Sequence, residues 1–161
     1  MENPHLNYLE EAYKQALKAL EENETPIGAV LVYQGKIIAS SFNHSLKECD
    51  PTLHAEMNVI KQGVKILQTK NLSSCSLYVT LEPCLMCLGG IINSHIKEVY
   101  FGALDSKKGA FSYFNVPMNT DNISFHYLKD DRCGEIISEF FKKIRKTNPG
   151  DKKKSTSKAE N

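Results

Sequence analysis

Hydrophobic residues along the chain fall into two kinds of pattern: stripes at helical spacing, and short, nearly unbroken apolar runs. Leu6, Leu9, Tyr13, Ala16, Leu17 and Leu20 recur at helical spacing. They predict an amphipathic helix of about four turns with this stripe against a core. Asn3-Pro4 in front of it reads as an N-cap followed by proline at the first helical position. After a polar loop, residues 27–33 form an apolar run, the pattern of a strand covered on both faces. Gln34-Gly35 is a turn, and residues 36–42 are the returning strand of a hairpin. Asp50-Pro51-Thr52 is a helix-start signal, which opens a helix carrying His54 in its first turn and Val59, Ile60, Val64 and Leu67 beyond.

The second half repeats the alternation. Residues 76–81 are a third strand, after which Pro83 takes the first position of a helix. That helix runs through Gly89-Gly90-Ile91-Ile92, and its two glycines suggest close backbone packing against the sheet. Residues 97–102 are a fourth strand, parallel to the third because the crossover between them is helical. Residues 103–122 show no period, and a loop this long in a compact domain is often functional. Its aromatics, Phe111, Tyr113 and Phe114, stand near Lys107 and Lys108 and suit either nucleic-acid stacking or the cover of a sheet edge or subunit interface. Residues 123–127 alternate as a short edge strand. A last amphipathic helix covers residues 130–146, with Ile136, Ile137, Phe140, Phe141 and Ile144 on its apolar face. The organisation expected is one domain over residues 1–147 and a disordered, Lys-rich tail over 148–161.

Composition narrows the class. With 161 residues, 41% hydrophobic and 24% charged, the chain suits one soluble globular domain. It has no apolar run long enough for a membrane span, and its first residues do not read as a secretory signal. Five cysteines without such a signal suggest the reducing cytoplasm. The net charge of +1 hides an asymmetry: residues 142–161 carry +6, leaving −5 on the body. A basic tail on an acidic body suits a polyanionic partner or simply a solvated terminus.

The candidate chemistry centres on Pro83-Cys84-Leu85-Met86-Cys87. Cysteines three apart share one helical face, and a helix N-terminus biases them toward thiolate. The pair alone could be a redox dithiol, half of a structural zinc site, or part of a catalytic one. Cys49, Cys75 and Cys133 are scattered, which weakens the four-cysteine reading. His54-Ala55-Glu56 supplies an imidazole as third ligand. His54, Cys84 and Cys87 leave a fourth zinc position for water, the mark of a catalytic site. Glu56 stands beside it as a carboxylate free to carry protons.

Across most of residues 8–146 the chain resembles the bacterial tRNA-specific adenosine deaminases. The resemblance lies in Thr25-Pro26-Ile27-Gly28-Ala29-Val30-Leu31-Val32, Asp50-Pro51-Thr52-Leu53-His54-Ala55-Glu56, Leu77-Tyr78-Val79-Thr80-Leu81-Glu82-Pro83-Cys84-Leu85-Met86-Cys87 and Phe101-Gly102-Ala103-Leu104-Asp105-Ser106-Lys107-Lys108-Gly109. It implies a three-layer α/β/α, cytidine-deaminase-like fold with a five-stranded mixed sheet, a homodimer, and one zinc ion per subunit on His54, Cys84 and Cys87. It also implies hydrolytic conversion of the wobble adenosine of an arginine tRNA anticodon stem-loop to inosine, with Glu56 shuttling protons and no nucleotide cofactor. Asn43 would touch the flipped nucleoside, Ala55 would line the pocket and offer its N–H, Ile27 and Thr25 would wall the base, and Asp105 and Lys107 would lie near the RNA backbone. The same zinc core serves deaminases of free bases and nucleosides such as guanine or cytosine, the alternative reading. The chain departs from the family at Leu104, where Arg is common, and at Ala110-Phe111-Ser112-Tyr113, where Ala-Ala-Gly-Ser is frequent.

Overall fold

The computed structural model describes residues 3–147. Helix α1 (Pro4–Glu21) begins as expected, with the Asn3 side chain accepting the His5 N–H. Strands β1 (Gly28–Tyr33) and β2 (Lys36–Phe42) form the hairpin around Gln34-Gly35. Helix α2 (Ala55–Leu67), strand β3 (Cys75–Leu81), helix α3 (Leu85–Asn93) and strand β4 (Glu98–Ala103) follow. A long loop ending in a single 3-10 turn (Thr120–Asn122) leads to strand β5 (Ser124–Tyr127) and helix α4 (Asp131–Thr147). The sheet order is β2-β1-β3-β4-β5. The β2-β1-β3 pairs are antiparallel and the β3-β4-β5 pairs parallel, so the sheet is mixed and five-stranded, as expected.

Strand alternation divides the core into two faces. Ala29, Leu31, Leu77, Val79, Val99 and Phe101 join Val59, Ile60 and Ile91 in the larger cluster, beneath α2 and α3. Val30, Val32, Tyr78 and Tyr100 meet Ala12 of α1 on the opposite face. Helix α4 lies on that second face too, where the space at Gly102 is filled by Cys133. Arg132 binds it to α1, reaching Glu10 at 2.6 Å and lying 4.4 Å over the Tyr13 ring. The result is three layers.

Three expectations change. The buried face of α1 is Leu9, Ala12, Ala16 and Ala19, whereas Leu6 is 50% exposed. Small side chains let α1 lie close on the sheet: a Cβ on Gly28 would stand 2.0 Å from the Ala12 carbonyl oxygen. The pair Gly89-Gly90 does not face the sheet. Gly90 makes room for Met57 of α2, and Gly89 is open. The loop aromatics divide: Phe111 is buried against Phe101 and Phe125, covering the sheet, while Tyr113 and Phe114 are exposed. The Lys-rich tail expected at 148–161 lies outside the described residues.

Candidate active site

One end of the sheet collects five separate pieces of chain. Gly28 of β1 pairs with Phe42 of β2, and Leu81 of β3 pairs with Ala103 of β4. Residues just before β1 and just after β2, β3 and β4 must therefore share that end. Helices α2 and α3 also start there. His54 is the N-cap of α2 and Cys84 the N-cap of α3, both in extended backbone. This corrects two expected starts. The segment Asp50-Pro51-Thr52 is a turn closed by Asp50 Oδ1 accepting the Thr52 N–H at 2.9 Å, so α2 begins later and His54 precedes its first turn. Pro83 likewise sits ahead of α3 rather than at its first position.

His54, Cys84 and Cys87 converge, with their ligand atoms within 4.8 Å of one another. His54 Nδ1 stands 3.6 Å from each sulfur. Tetrahedral zinc, with Zn–S of about 2.3 Å and Zn–N of about 2.0 Å, separates such ligands by about 3.5 Å, so the donor set fits the ion. Among the described residues this is the only such cluster of potential ligands. Hydrogen bonding from Cys87, with His54 assisting against the cost of burial, holds the Cys84 thiol down to about 4. Cys87 is pushed up, being the donor to Cys84 and buried. Metal binding takes both sulfurs as thiolates, so a bound divalent cation displaces the thiol proton from the pair.

Glu56, in the first turn of α2, is 4% exposed, and burial pushes its carboxyl up to about 7. A cleft of about 850 Å³ opens over this group, with Thr25, Ile27, Asn43, Asp105 and Lys107 among its walls beside His54, Glu56 and Cys84. Ala55 is arranged differently from the expectation. It is fully buried, and its N–H is already donated to Asn43 Oδ1 at 2.9 Å. The cleft continues along α4 past Ile137 and Phe141 to Lys142 and Arg145, and Leu104 forms part of the wall.

Two buried glutamates were not assigned roles from the sequence. Glu82, 2% exposed, accepts the N–H groups of Asp105, Phe111 and Ser112 and the Ser112 hydroxyl. Glu24 is fully buried and accepts the N–H groups of Leu46 and Lys47. Each fastens a loop that contributes to the cleft. A carboxylate that gathers N–H groups from more than twenty residues away leaves no local period. The position of Glu82 within the cysteine motif was the one available signal.

Residues 2–103 match the family described as the cytidine and deoxycytidylate deaminase zinc-binding region. The chain is 42% identical to the tRNA-specific adenosine deaminase of Aquifex aeolicus over 142 residues, covering 86% of this chain and 94% of the relative. It is 40% identical to the enzyme of the same name from Bacillus subtilis, covering 86% of this chain and 89% of that one. Among solved structures, one from work on A-to-I editing by tRNA:A34 deaminases at the wobble position of transfer RNA aligns with a TM-score of 0.74 at 38% identity, covering 81% of this chain and 99% of that one. Guanine deaminase from Bacillus subtilis aligns with a TM-score of 0.63 at 32% identity, covering 78% and 85% respectively.

Proposed function

The chain belongs to the cytidine and deoxycytidylate deaminase zinc-binding family and, within it, to the tRNA-specific adenosine deaminases; we propose that it converts the wobble adenosine of an arginine tRNA anticodon stem-loop to inosine. The observation that carries this reading is a buried carboxylate, Glu56, set beside a His-Cys-Cys group at the foot of a cleft that runs on to Lys142 and Arg145. A free base needs only the foot of that cleft. The cleft extends well past that foot along α4, where Asp131, Glu135 and Glu139 precede the two cations at its far end, Lys142 and Arg145, and a site of this length suits a polynucleotide better than guanine or cytosine.

His54, Cys84 and Cys87 would hold zinc, which when bound supplies an acidified water as nucleophile at neutral pH. The chain's own residues position the base and move the proton. Glu56, lifted by burial toward neutrality, can accept a proton and release it again. It would take one proton from the attacking water and place it on N1 of the purine as oxygen adds at C6, then take the second proton from that oxygen and pass it to the departing amine. The C–N bond breaks, ammonia leaves, and inosine remains. Asn43 has its Oδ1 committed to the Ala55 N–H, which leaves its amide nitrogen to donate to the nucleoside. Ile27 and Thr25 would wall the base, while Asp105 and Lys107 would meet the RNA backbone.

We further infer a homodimer seated on the outward face of α3, where Gly89 faces open space. No helix among the described residues is long and apolar enough to cross a membrane. A tRNA substrate and cysteines that are all free point to the cytoplasm. The test is incubation of the zinc-loaded protein with an arginine-tRNA anticodon stem-loop carrying wobble adenosine, followed by inosine detection. Deamination of free guanine or cytosine without any inosine would replace this reading with the free-base one.

A further inference from the structure

Tyr113 and Phe114 are 54% and 48% exposed, two adjacent large aromatics on the surface beside the metal-ligand group. Their rings meet edge to face, with centroids 4.8 Å apart. The backbone that carries them is fastened on every side. Gly109 O accepts the N–H groups of Tyr113 and Phe114 at 3.1 and 3.2 Å. Glu82 holds the N–H groups of the two preceding residues, each at 2.9 Å. Asp105 Oδ1 accepts the N–H groups of Lys107 and Lys108, fixing the turn that presents both lysines. The two aromatics and two lysines border a concavity of about 690 Å³ that includes His54 and Cys84. These two residues also line the reaction cleft. The concavity therefore adjoins the reaction cleft at the metal-ligand group.

Exposed aromatics on a fastened stretch of backbone, beside two lysines on a fixed turn, suit single-stranded nucleic acid, whose bases stack while its phosphates pair with the lysines. A second copy of this chain would have to bury the two lysines against itself, which charge opposes. We propose that Tyr113 and Phe114 are the stacking platform for the loop bases flanking the reacting adenosine, with Lys107 and Lys108 taking the phosphates between them. This rests on the tRNA reading and names the contact that sets affinity for the loop.

The experiment uses the full-length, zinc-loaded protein, the double variant Tyr113→Ala/Phe114→Ala, and the conservative exchange Tyr113→Phe/Phe114→Tyr. The substrate is the anticodon stem-loop, and 2-aminopurine is placed in turn at each loop position beside the wobble adenosine for a fluorescence readout. The alanine pair should raise KM by about 5- to 100-fold, the range for loss of one stacked base or more. The effect should fall on KM rather than kcat, with zinc content and molecular mass unchanged. At least one 2-aminopurine position should be quenched on binding the wild type, unquenched with the alanine pair, and quenched again with the conservative exchange. An unchanged KM, absence of quenching at every position, or a drop from dimer to monomer in the alanine pair would overturn the platform, the last assigning the patch to a subunit contact. If the wild type binds the stem-loop but forms no inosine, the activity reading fails on its own, and the platform is judged by the ratio of dissociation constants. A ratio near one overturns it, and a ratio of about 5 or more upholds it.

Discussion

The Glu82 carboxylate accepts the backbone N–H of Phe111 at 2.9 Å, across 29 residues of chain. It also holds Asp105 and Ser112, so one side chain just past β3 ties together the two ends of the turn after β4. Gly109 lies so close that a Cβ there would stand 2.0 Å from Glu82 Oε2. Glu82→Ala would strand several donors at once, each costing roughly 1–3 kcal/mol where water cannot replace the acceptor. We expect a loss of about 3 kcal/mol in urea unfolding, with Glu82→Gln losing less because one oxygen remains. A loss under about 1 kcal/mol for the alanine variant would mean that the loop holds itself.

Legibility in the sequence followed the range of the interactions. The hairpin strands and the apolar faces of β1, β3 and β4 come from period and turn chemistry, both local, and they match the structure closely. The ligand trio was legible for a different reason: histidine and paired cysteines are scarce, and their spacing restricts what they can do together. Both helix starts lie later than expected, because Asp50-Pro51-Thr52 and Pro83 carry helix-start chemistry but form turns ahead of α2 and α3. The face of α1 was misread because leucines outweigh alanines in any hydrophobic pattern, whereas close approach to Gly28 selects the small side chains. Glu24 and Glu82 were illegible because their partners are backbone groups of distant loops, which no side-chain pattern reports.

Glu56 separates chemistry from metal binding. Glu56→Gln keeps the size of the side chain and removes the carboxylate, leaving His54, Cys84 and Cys87 intact. Zinc content by mass spectrometry should match the wild type, while inosine formation should fall by about 10²–10⁴-fold, the usual contribution of a positioned acid–base group. Substantial activity in this variant would remove Glu56 from the proton path.

Zinc should contribute to folding as well as to reaction, because the three ligands come from the starts of two helices separated in the chain by β3. Binding to the folded state alone stabilises it by roughly 4 kcal/mol when the ion exceeds its dissociation constant a thousandfold. For a domain of this size that corresponds to about 10 °C in Tm. Dialysis against a chelator should lower Tm by this order, and added zinc should restore both Tm and activity. Cys87→Ala should behave as the stripped protein does. Cys49→Ser, altering an exposed thiol outside the cluster, should keep its zinc.

The basic end of the cleft makes a prediction that does not depend on the chemical step. Lys142 and Arg145 are three apart on α4, share one face of it, and line the cleft that begins at the ligand trio. If each neutralises one phosphate, each releases a counterion on binding. The slope of log affinity against log salt should then fall by about 0.7–0.9 per cation removed. The double variant Lys142→Ala/Arg145→Ala should therefore bind the stem-loop less tightly at low salt, with a slope shallower by about 1.4–1.8 and a deficit that shrinks as salt rises. Fluorescence anisotropy across a salt series measures both quantities. A parallel line displaced to weaker binding would show that the two side chains shape the cleft without touching phosphate. An unchanged line would confine the RNA to the ligand trio and the Tyr113–Phe114 side of the site.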